Sequence, residues 1–501
     1  MILGNTLNDD LKNEVKEYLN YLYKYKAIII GLYLVLEAII FIRIGRTNTF
    51  MTLSSLFITL FIICSIILMF KDFKTTLRIY TISIPLLPLI LYLLFRLNLT
   101  AFSEVIYVLY FAIFMYNAFQ EIRRGNIDFK RLYRYKNYLL MTIAYIAFIV
   151  LGIISAFNSR YMMEGFKFLF LGLVTMLIYS VILLCYTGED KDSIVDLVFY
   201  LCVGVALSGI PDTLIAFYTL ITRGQNQHLY GALGSNFMLG YTIIVLPFIL
   251  YFAVNKDKVS KYSSVYKLLL VIEILVLCTQ RSRGILVVLA FVLLAVLITD
   301  IKNVLKYLLI SIIILSSVTY NVTERSEFNE IKQEIKQNPN VAKRIFSKGE
   351  FLNKIIEQTR NRRPIWGLTF NIIADHPNFG IGPGHYKYYY LEYGGEESRS
   401  YKDAHNIVLN VAVDMGLPFA FLFYFTICIL ILKSLIYALK SKIVFEKRFL
   451  FLGIVGILAL LMYGNITGQA FMTFVAPISI TPAFTFTVII TSIIAMKAKF
   501  K

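Results

Sequence analysis

The chain has 501 residues, of which 58% are hydrophobic and 16% are charged, and its formal net charge is +18. Soluble domains carry about 25% charged and about 45–50% apolar residues, so the composition excludes an ordinary soluble globular protein. Several apolar runs exceed the ~18 residues that indicate a transmembrane helix. The sequence therefore predicts an all-α, polytopic transmembrane helical bundle, because lipid requires backbone groups to be satisfied within each segment.

The predicted elements begin with a polar N-terminal segment, residues 1–26. Its apolar residues recur at helical spacing, which predicts an amphipathic cytoplasmic helix at the membrane surface; they are Leu11, Val15, Leu19 and Leu22. Residues 27–320 are expected to contain transmembrane helices 1–11. Residues 321–404 form one large polar loop. We expect part of it to be helical, because glutamate and lysine residues recur at helical spacing in the stretch 324–336. Residues 405–501 carry helices 12–14 and a cytoplasmic tail. We thus expect about 12–14 spans.

The predicted spans follow hydropathy along the chain. They lie near residues 27–43, 51–70, 79–97, 102–120, 138–157, 168–187, 194–220, 237–254, 267–280, 284–299, 304–320, 405–433, 449–465 and 475–496. The five cysteines lie in apolar runs with no paired or ligand-like spacing, so we expect neither disulfides nor a metal site.

The distribution of lysine and arginine predicts the orientation in the cytoplasmic (inner) membrane. With a cytoplasmic N-terminus, the inward loops hold most of the basic residues, as in 123–136, 256–267 and 440–448. Both termini are then cytoplasmic, and loop 321–404 is extracytoplasmic. The positive charge is explained by these loops, so we expect membrane lipids and no nucleic acid as partners.

Polar motifs are concentrated on the predicted outer side. They are "HLYGALGSN" (228–236), "TQRSRG" (279–284), "TRNRRPIW" (359–366), "ADHPNFGIGPGHY" (374–386) and "DAHNIVLNVAVDMGL" (403–417). Each also has a structural interpretation: arginines at span ends can snorkel to lipid headgroups, glycines and prolines can shape a loop, and an interfacial histidine can be a hydrogen-bonded structural group. Together, however, the motifs also indicate a chemical function. Their guanidinium groups can bind diphosphate bidentately, and the imidazole can take a proton from a hydroxyl.

These motifs, in this order, resemble the O-antigen ligase and O-antigen polymerase superfamily of polytopic bacterial membrane glycosyltransferases. The similarity spans roughly residues 225–435. It rests on Gly231 and Asn236, Ser282-Arg283-Gly284, Arg362 to Trp366, the turn from His376-Pro377 through Gly380, Gly382, Pro383 and Gly384, and finally His405, Asn406, Leu409, Asp414, Gly416 and Leu417. The chain departs from the family at His228, where arginine is common, at Asp414, where glutamate is usual, and at His385, often asparagine.

The resemblance implies an inverting, metal-independent transfer without a cofactor. The donor would be a glycan linked through diphosphate to a polyprenyl carrier such as undecaprenol, and the acceptor a glycan or lipid-linked hydroxyl. His405 would be the catalytic general base, and Arg283 and Arg362 would bind the diphosphate, with Arg281 and Arg363 assisting. The supporting residues would be Asn406, Trp366, Asp414, Gly416, His228 and Asn236. If His405 begins a helix, we expect Gly416 to permit close helix approach.

Three other functions stay open at this point. A polymerase that extends a carrier-linked repeat uses the same donor and differs from a ligase only in its acceptor. A flippase or other transporter would need polar groups near the bilayer midplane, for which Glu37, Asp196, Asp212 and Glu273 are candidates. A scaffold protein would leave the arginine clusters and the loop histidine unexplained.

Overall fold

The computed structural model describes residues 9–44, 49–96, 101–134, 136–187, 191–223, 235–255, 262–278, 283–323, 363–395, 403–467 and 480–497. Within these ranges the regular elements are helices, with no strand, which confirms the predicted all-α fold. The first group of helices is α1 (Asp9–Lys24), α2 (Lys26–Ile44), α3 (Thr49–Met69), α4 (Phe73–Arg96), α5 (Ala101–Arg123), α6 (Lys130–Arg134), α7 (Lys136–Phe157), α8 (Met162–Phe168), a π-helical turn (Leu169–Val174), α9 (Thr175–Thr187) and α10 (Lys191–Arg223).

The second group holds the predicted outer loop and the C-terminal spans. It consists of α11 (Ser235–Val254), α12 (Ser263–Cys278), α13 (Arg283–Thr299), a 3₁₀ turn (Ile301–Asn303), α14 (Val304–Thr323), α15 (Arg363–Asp375), α16 (Tyr386–Glu392), α17 (Ile407–Met415), α18 (Leu417–Lys440), α19 (Val444–Thr467) and α20 (Ile480–Lys497). The helices α15 and α16 confirm that the loop 321–404 is partly helical.

In the described part of the chain, six helices are long and apolar enough to cross a membrane, which supports a multi-pass membrane protein. They cover Val105–Arg123, Tyr138–Phe157, Met162–Tyr186, Asp192–Ile210, Ile301–Thr319 and Leu417–Lys440. Shorter apolar helices lie at Phe57–Met69, Thr242–Val254, Gly284–Thr299 and Phe484–Met496. The expected total of 12–14 spans, the side of each terminus and the four-part division of the chain stay predictions.

The helices pack closely where glycine removes the side chain between two backbones. Helix α4 packs on α10, and α11 packs on α19. A Cβ at Gly204 of α10 would lie 2.6 Å from the carbonyl oxygen of Ile82 in α4, a contact that only glycine avoids. Small residues at helix crossings are typical of membrane bundles, where packing rather than hydrophobic expulsion drives association.

Helix α1 is bound to the bundle by a cluster of charged side chains centred on the buried Arg78. The guanidinium of Arg78 in α4 binds the carboxylate of Glu14 in α1 and, at 2.5 Å, that of Asp196 in α10. The Tyr18 hydroxyl accepts from the same guanidinium at 2.9 Å. On the face that the sequence predicted to be apolar, Leu11 is buried while Leu19 is 60% exposed.

The predicted span 405–433 differs from what the structure shows. It is divided into α17 and α18 at Gly416, whose φ of +87° is open to glycine but strained for other residues. Pro418 lies in the first turn of α18, a position where its missing N–H costs nothing. The two helices fold back on each other, because the Tyr424 hydroxyl of α18 donates to the Ile407 carbonyl at 3.1 Å. Only α18 is a candidate span.

Candidate active site

His405 lies on the turn that leads into α17, in an unusual backbone conformation. Its φ is +52°, and it is the one described non-glycine residue with a positive φ. The carboxylate of Asp403 stabilises this turn by accepting a hydrogen bond from the His405 backbone N–H at 2.7 Å. Strained residues of this kind cluster at active sites, where the surrounding structure holds them in place.

The imidazole of His405 is paired with the same carboxylate. Its Nδ1 lies 2.5 Å from Oδ1 of Asp403, so Nδ1 carries the hydrogen and donates it to the acid. The side chain of His405 is 33% exposed and that of Asp403 is 12% exposed. An acid that fixes the tautomer and orientation of a histidine prepares the other nitrogen, Nε2, to take a proton. The exposed fraction allows a substrate to reach it.

Two further hydrogen bonds hold the segment between Asp403 and His405. The Trp366 indole N–H on α15 donates to the Ala404 carbonyl at 3.1 Å, and the Asn410 side-chain oxygen on α17 accepts from the Ala404 N–H at 2.6 Å. Asn406 then caps α17, because its side-chain oxygen accepts from the N–H groups of the second and third helical residues. The turn is therefore fixed from both neighbouring helices.

The glycine-rich turn between α15 and α16 caps the other end of α17. The Ile381 N–H donates to the Val413 carbonyl at 2.9 Å, and the Gly382 N–H donates to the Asp414 carbonyl at 3.0 Å. These carbonyls belong to the last turn of α17, where a helix leaves such groups without partners. Gly380 fits because a Cβ there would lie 2.6 Å from the Asp414 carbonyl. This close backbone approach explains the run of glycines.

Gly416 also lies at the contact between the end of α17 and the glycine-rich turn, which differs from the role that the sequence predicted. A Cβ at Gly416 would lie 2.5 Å from the Asn378 carbonyl oxygen, so the residue faces the backbone of the glycine-rich turn. The next N–H, that of Leu417, donates to the Pro377 carbonyl at 2.8 Å. The prediction that Gly416 allows two helices to approach was wrong, because the residue ends α17 instead of lying on its face.

The last turn of α7 and its connection to α8 support the end of α17 and the glycine-rich turn. The Ser155 hydroxyl donates to the Asp414 carbonyl at 2.8 Å, and the Tyr161 backbone N–H donates to Nε2 of His385 at 3.2 Å. Nδ1 of His385 in turn lies 2.9 Å from the Pro383 carbonyl, to which it donates. The ring must be neutral to make both bonds, and its burial lowers the pKa of His385. His385 is thus a structural link.

Asp414 is a buried carboxyl group on α17. It is 2% exposed, and its Oδ1 has no hydrogen-bond partner among the described residues. Burial raises the pKa of Asp414 well above the usual carboxyl value, against a weak contribution from the Gly384 N–H at 3.5 Å. The carboxyl group of Asp414 faces the glycine-rich turn through its contact with the Gly384 N–H.

The structure brings five of the predicted residues together around α17: His405, Asn406, Trp366, Asp414 and Gly416. Arg283 is the first residue of α13, Arg363 the first residue of α15, and Asn236 the second residue of α11. Arg281, Arg362 and His228 lie outside the described residues. The sequence interpretation missed Asp403, which lies two residues before His405.

Within the described residues, no group of three or more histidine, cysteine, aspartate or glutamate side chains is arranged to hold a metal ion. The prediction that the protein has no metal and no cofactor is not tested by this observation.

A comparison with known protein families finds a match for the region that contains this site. Residues 268–425 match the model of a protein family described as O-Antigen ligase, which confirms the resemblance for this segment and supports a glycosyltransferase-type family. The match begins in α12 and ends in α18, and so contains the glycine-rich turn and His405. No curated protein matches the chain.

Proposed function

We propose that the protein is a membrane glycosyltransferase of the O-antigen ligase type. It transfers a glycan from a polyprenyl (undecaprenyl) diphosphate carrier to an acceptor hydroxyl on the outer side of the cytoplasmic membrane. The observation that carries this proposal is the hydrogen-bonded pair of Asp403 and His405, held on a strained turn inside the segment that matches the family.

His405 acts as the general base in this reaction. Its Nε2 takes the proton from the acceptor hydroxyl, whose oxygen forms a bond to the anomeric carbon of the donor sugar. The bond from that carbon to the diphosphate oxygen breaks, and the electron pair leaves with the polyprenyl diphosphate. Attack from the face opposite the leaving group inverts the anomeric configuration. Asp403 stabilises the imidazolium that forms.

Arginine side chains neutralise the diphosphate in this proposal. Arg283 and Arg362 bind it, and Arg281 and Arg363 assist, because guanidinium groups bind phosphate oxygens bidentately and stabilise charge on a leaving group. One observation supports Arg363: it begins α15, and Trp366, one turn further along this helix, contacts the residue next to His405.

An apolar cavity lies within the helical bundle near Tyr424. Tyr424, whose hydroxyl contacts the start of α17, neighbours Phe423, and this ring lines a cavity between α7, the π-helical turn, α18 and α20. The other lining side chains include Phe148, Met176 and Ile490. The alternative function, a transporter, needs polar groups near the bilayer midplane. Asp196 was one candidate for such a group, and its carboxylate is bound by Arg78 and Tyr262.

The proposal is tested by reconstituting the purified protein in vesicles with a polyprenyl-diphosphate glycan and candidate acceptors, with product analysis by mass spectrometry. The informative variant is His405→Asn, because asparagine tolerates a positive φ and cannot act as a base at neutral pH. We expect at least a hundredfold loss of transfer with unchanged thermal stability. His376→Asn, a change of another histidine in the same region, is the matched control and should keep its activity.

The products also separate the two branches of the family. Transfer onto a lipid A core, a protein or a wall polymer identifies a ligase, whereas a longer carrier-linked repeat identifies a polymerase. Full transfer by His405→Asn contradicts the assignment of the base.

A further inference from the structure

A cluster of exposed and partly exposed aromatic and charged side chains lies beside the glycine-rich turn, where the start of α8 meets α16. We call it the Tyr161 patch; its members are Tyr161, Tyr388, Arg160, Glu164, Lys387 and Glu392. The rings of Tyr161 and Tyr388 meet edge to face with centroids 4.9 Å apart. Arg160 is paired with Glu392, and the Lys387 ammonium lies 3.6 Å from the Glu164 carboxylate. Tyr161 is 47% exposed.

The patch is rigidly connected to the catalytic turn. The Tyr161 N–H binds the ring of His385, which follows the glycine-rich turn, and that turn caps the C-terminal end of α17. His405 lies just before the N-terminal end of α17, a helix of nine residues that spans about 14 Å. The patch and the base therefore lie at opposite ends of one short helix.

The hairpin of α17 and α18 shows how the line from the patch to His405 is oriented relative to α18. The start of α18 lies beside the glycine-rich turn, whereas Tyr424, about 10 Å further along α18, contacts the start of α17. His405 is accordingly recessed along the spanning helix relative to the patch. A lipid-linked donor has the same polarity, with its diphosphate near the membrane and its sugars extending away from it.

The chemistry of the patch fits a saccharide without net charge. The Arg160 guanidinium lies over the Tyr161 ring, 5.7 Å from its centroid, and the Lys387 ammonium lies over the Tyr388 ring, 4.5 Å from its centroid. The exposed part of the Tyr161 ring can still contact the polarised C–H groups of a sugar ring. The four charged side chains form two ion pairs that compensate each other, so the patch has carboxylate acceptors and cationic donors but no excess charge for a phosphate or a polyanion. Side chains of this kind can bind sugar hydroxyl groups.

We propose that the Tyr161 patch binds the glycan chain of the lipid-linked donor, several sugars beyond the one that is transferred from the diphosphate. This inference rests on the proposed function and assigns a substrate-binding role to a patch that is formed partly by residues outside the segment that matches the family, namely Arg160, Tyr161 and Glu164. The patch makes the enzyme favour donors with a long glycan over donors with one sugar.

The test compares two donors on the same carrier, one with a single sugar and one with several repeats, with a fixed acceptor. The variant is Tyr161→Ala, which keeps the backbone N–H bound by His385 and removes no helix cap, since the Tyr161 side chain makes no capping hydrogen bond. We expect the KM for the long donor to rise about fivefold to tenfold, with kcat unchanged and the single-sugar donor unaffected. Tyr161→Phe, which keeps the ring, should restore the wild-type KM.

Tyr133→Ala is the control for removal of an exposed tyrosine, because Tyr133 on α6 is 75% exposed and distant in sequence from the site. The inference is overturned if Tyr161→Ala leaves the KM for the long donor unchanged, raises the KM for both donors equally, or raises the KM for the acceptor instead. If the wild-type protein transfers neither donor, the proposed function fails. Calorimetric binding of the free oligosaccharide then decides: binding that Tyr161→Ala abolishes supports the patch, and no difference between the two proteins refutes it.

Discussion

Replacement of Asp403 by asparagine tests the central pair of the site. The change keeps the size of the side chain, and its amide oxygen can still accept the His405 backbone N–H, so the turn should form. It removes the negative charge that faces Nδ1 of the imidazole at 2.5 Å. We expect the ring to lose its fixed tautomer and the imidazolium to lose its stabilising partner, with the main effect on kcat.

The expected loss of kcat in Asp403→Asn depends on how far the Asp403–His405 pair is exposed to water. In serine-protease triads the same exchange lowers kcat by about 10⁴. The side chain of His405 is 33% exposed, so water can partly replace the lost carboxylate, and Asp403 is 12% exposed. We therefore expect a smaller loss, of about 10²–10³ in kcat, which corresponds to about 3–4 kcal/mol of transition-state stabilisation. Thermal stability should change by about 1 kcal/mol or less.

The assay is the reconstituted transfer reaction, with kcat and KM measured for Asp403→Asn, His405→Asn and the double variant. Because both residues act in one proton transfer, the double variant should be no slower than His405→Asn alone. The reasoning is refuted if Asp403→Asn keeps most of its kcat, or if the two losses multiply in the double variant.

Three further changes probe the support of the site. Gly416→Ala should destabilise the protein by more than about 2 kcal/mol in thermal unfolding, because a Cβ would lie 2.5 Å from the Asn378 carbonyl at a φ of +87°. Burial lowers the pKa of His385 below its ordinary 6.5, so the stability that the neutral ring contributes is complete above that pH and is lost as the pH falls through the folded-state pKa. The melting temperature of the wild type should therefore fall more steeply below pH 6.5 than that of His385→Gln. The glutamine amide oxygen accepts the Tyr161 N–H at every pH. Burial raises the pKa of Asp414, so the buried carboxyl group destabilises the folded state increasingly as the pH rises above the ordinary carboxyl range. Asp414→Asn should therefore be at least as stable as the wild type at pH 8.

The helical fold could be predicted from hydropathy because each span must satisfy its backbone hydrogen bonds internally. Where a helix ends inside an apolar run, hydropathy gives no signal. The division at Gly416 depends on a positive φ and on contact with the Asn378 carbonyl, and both are properties of the folded chain. The sequence pattern alone therefore joined α17 and α18 into one span.

The site was predictable to the extent that its residues belong to motifs. His405, Asn406 and Trp366 were identified from their order in the chain, and they lie around one turn in the structure. Asp403 was missed because its contact with the imidazole requires the left-handed conformation of His405, which no spacing rule indicates. The helical expectation for the Glu/Lys-rich stretch 324–336 lies outside the described residues.

The contacts of α7 and α8 extend the functional unit beyond the segment that matches the family. The catalytic turn and the glycine-rich turn both lie within residues 268–425, yet Ser155 and the Tyr161 N–H satisfy groups that these turns bury. Nε2 of His385 is buried, and without the Tyr161 N–H it would keep the desolvation cost of an unpaired acceptor, about 1–3 kcal/mol. The N-terminal spans are therefore part of the framework that positions α17, and loss of the Ser155 hydroxyl or of the Tyr161 backbone hydrogen bond should alter the reaction as well as the stability of the fold.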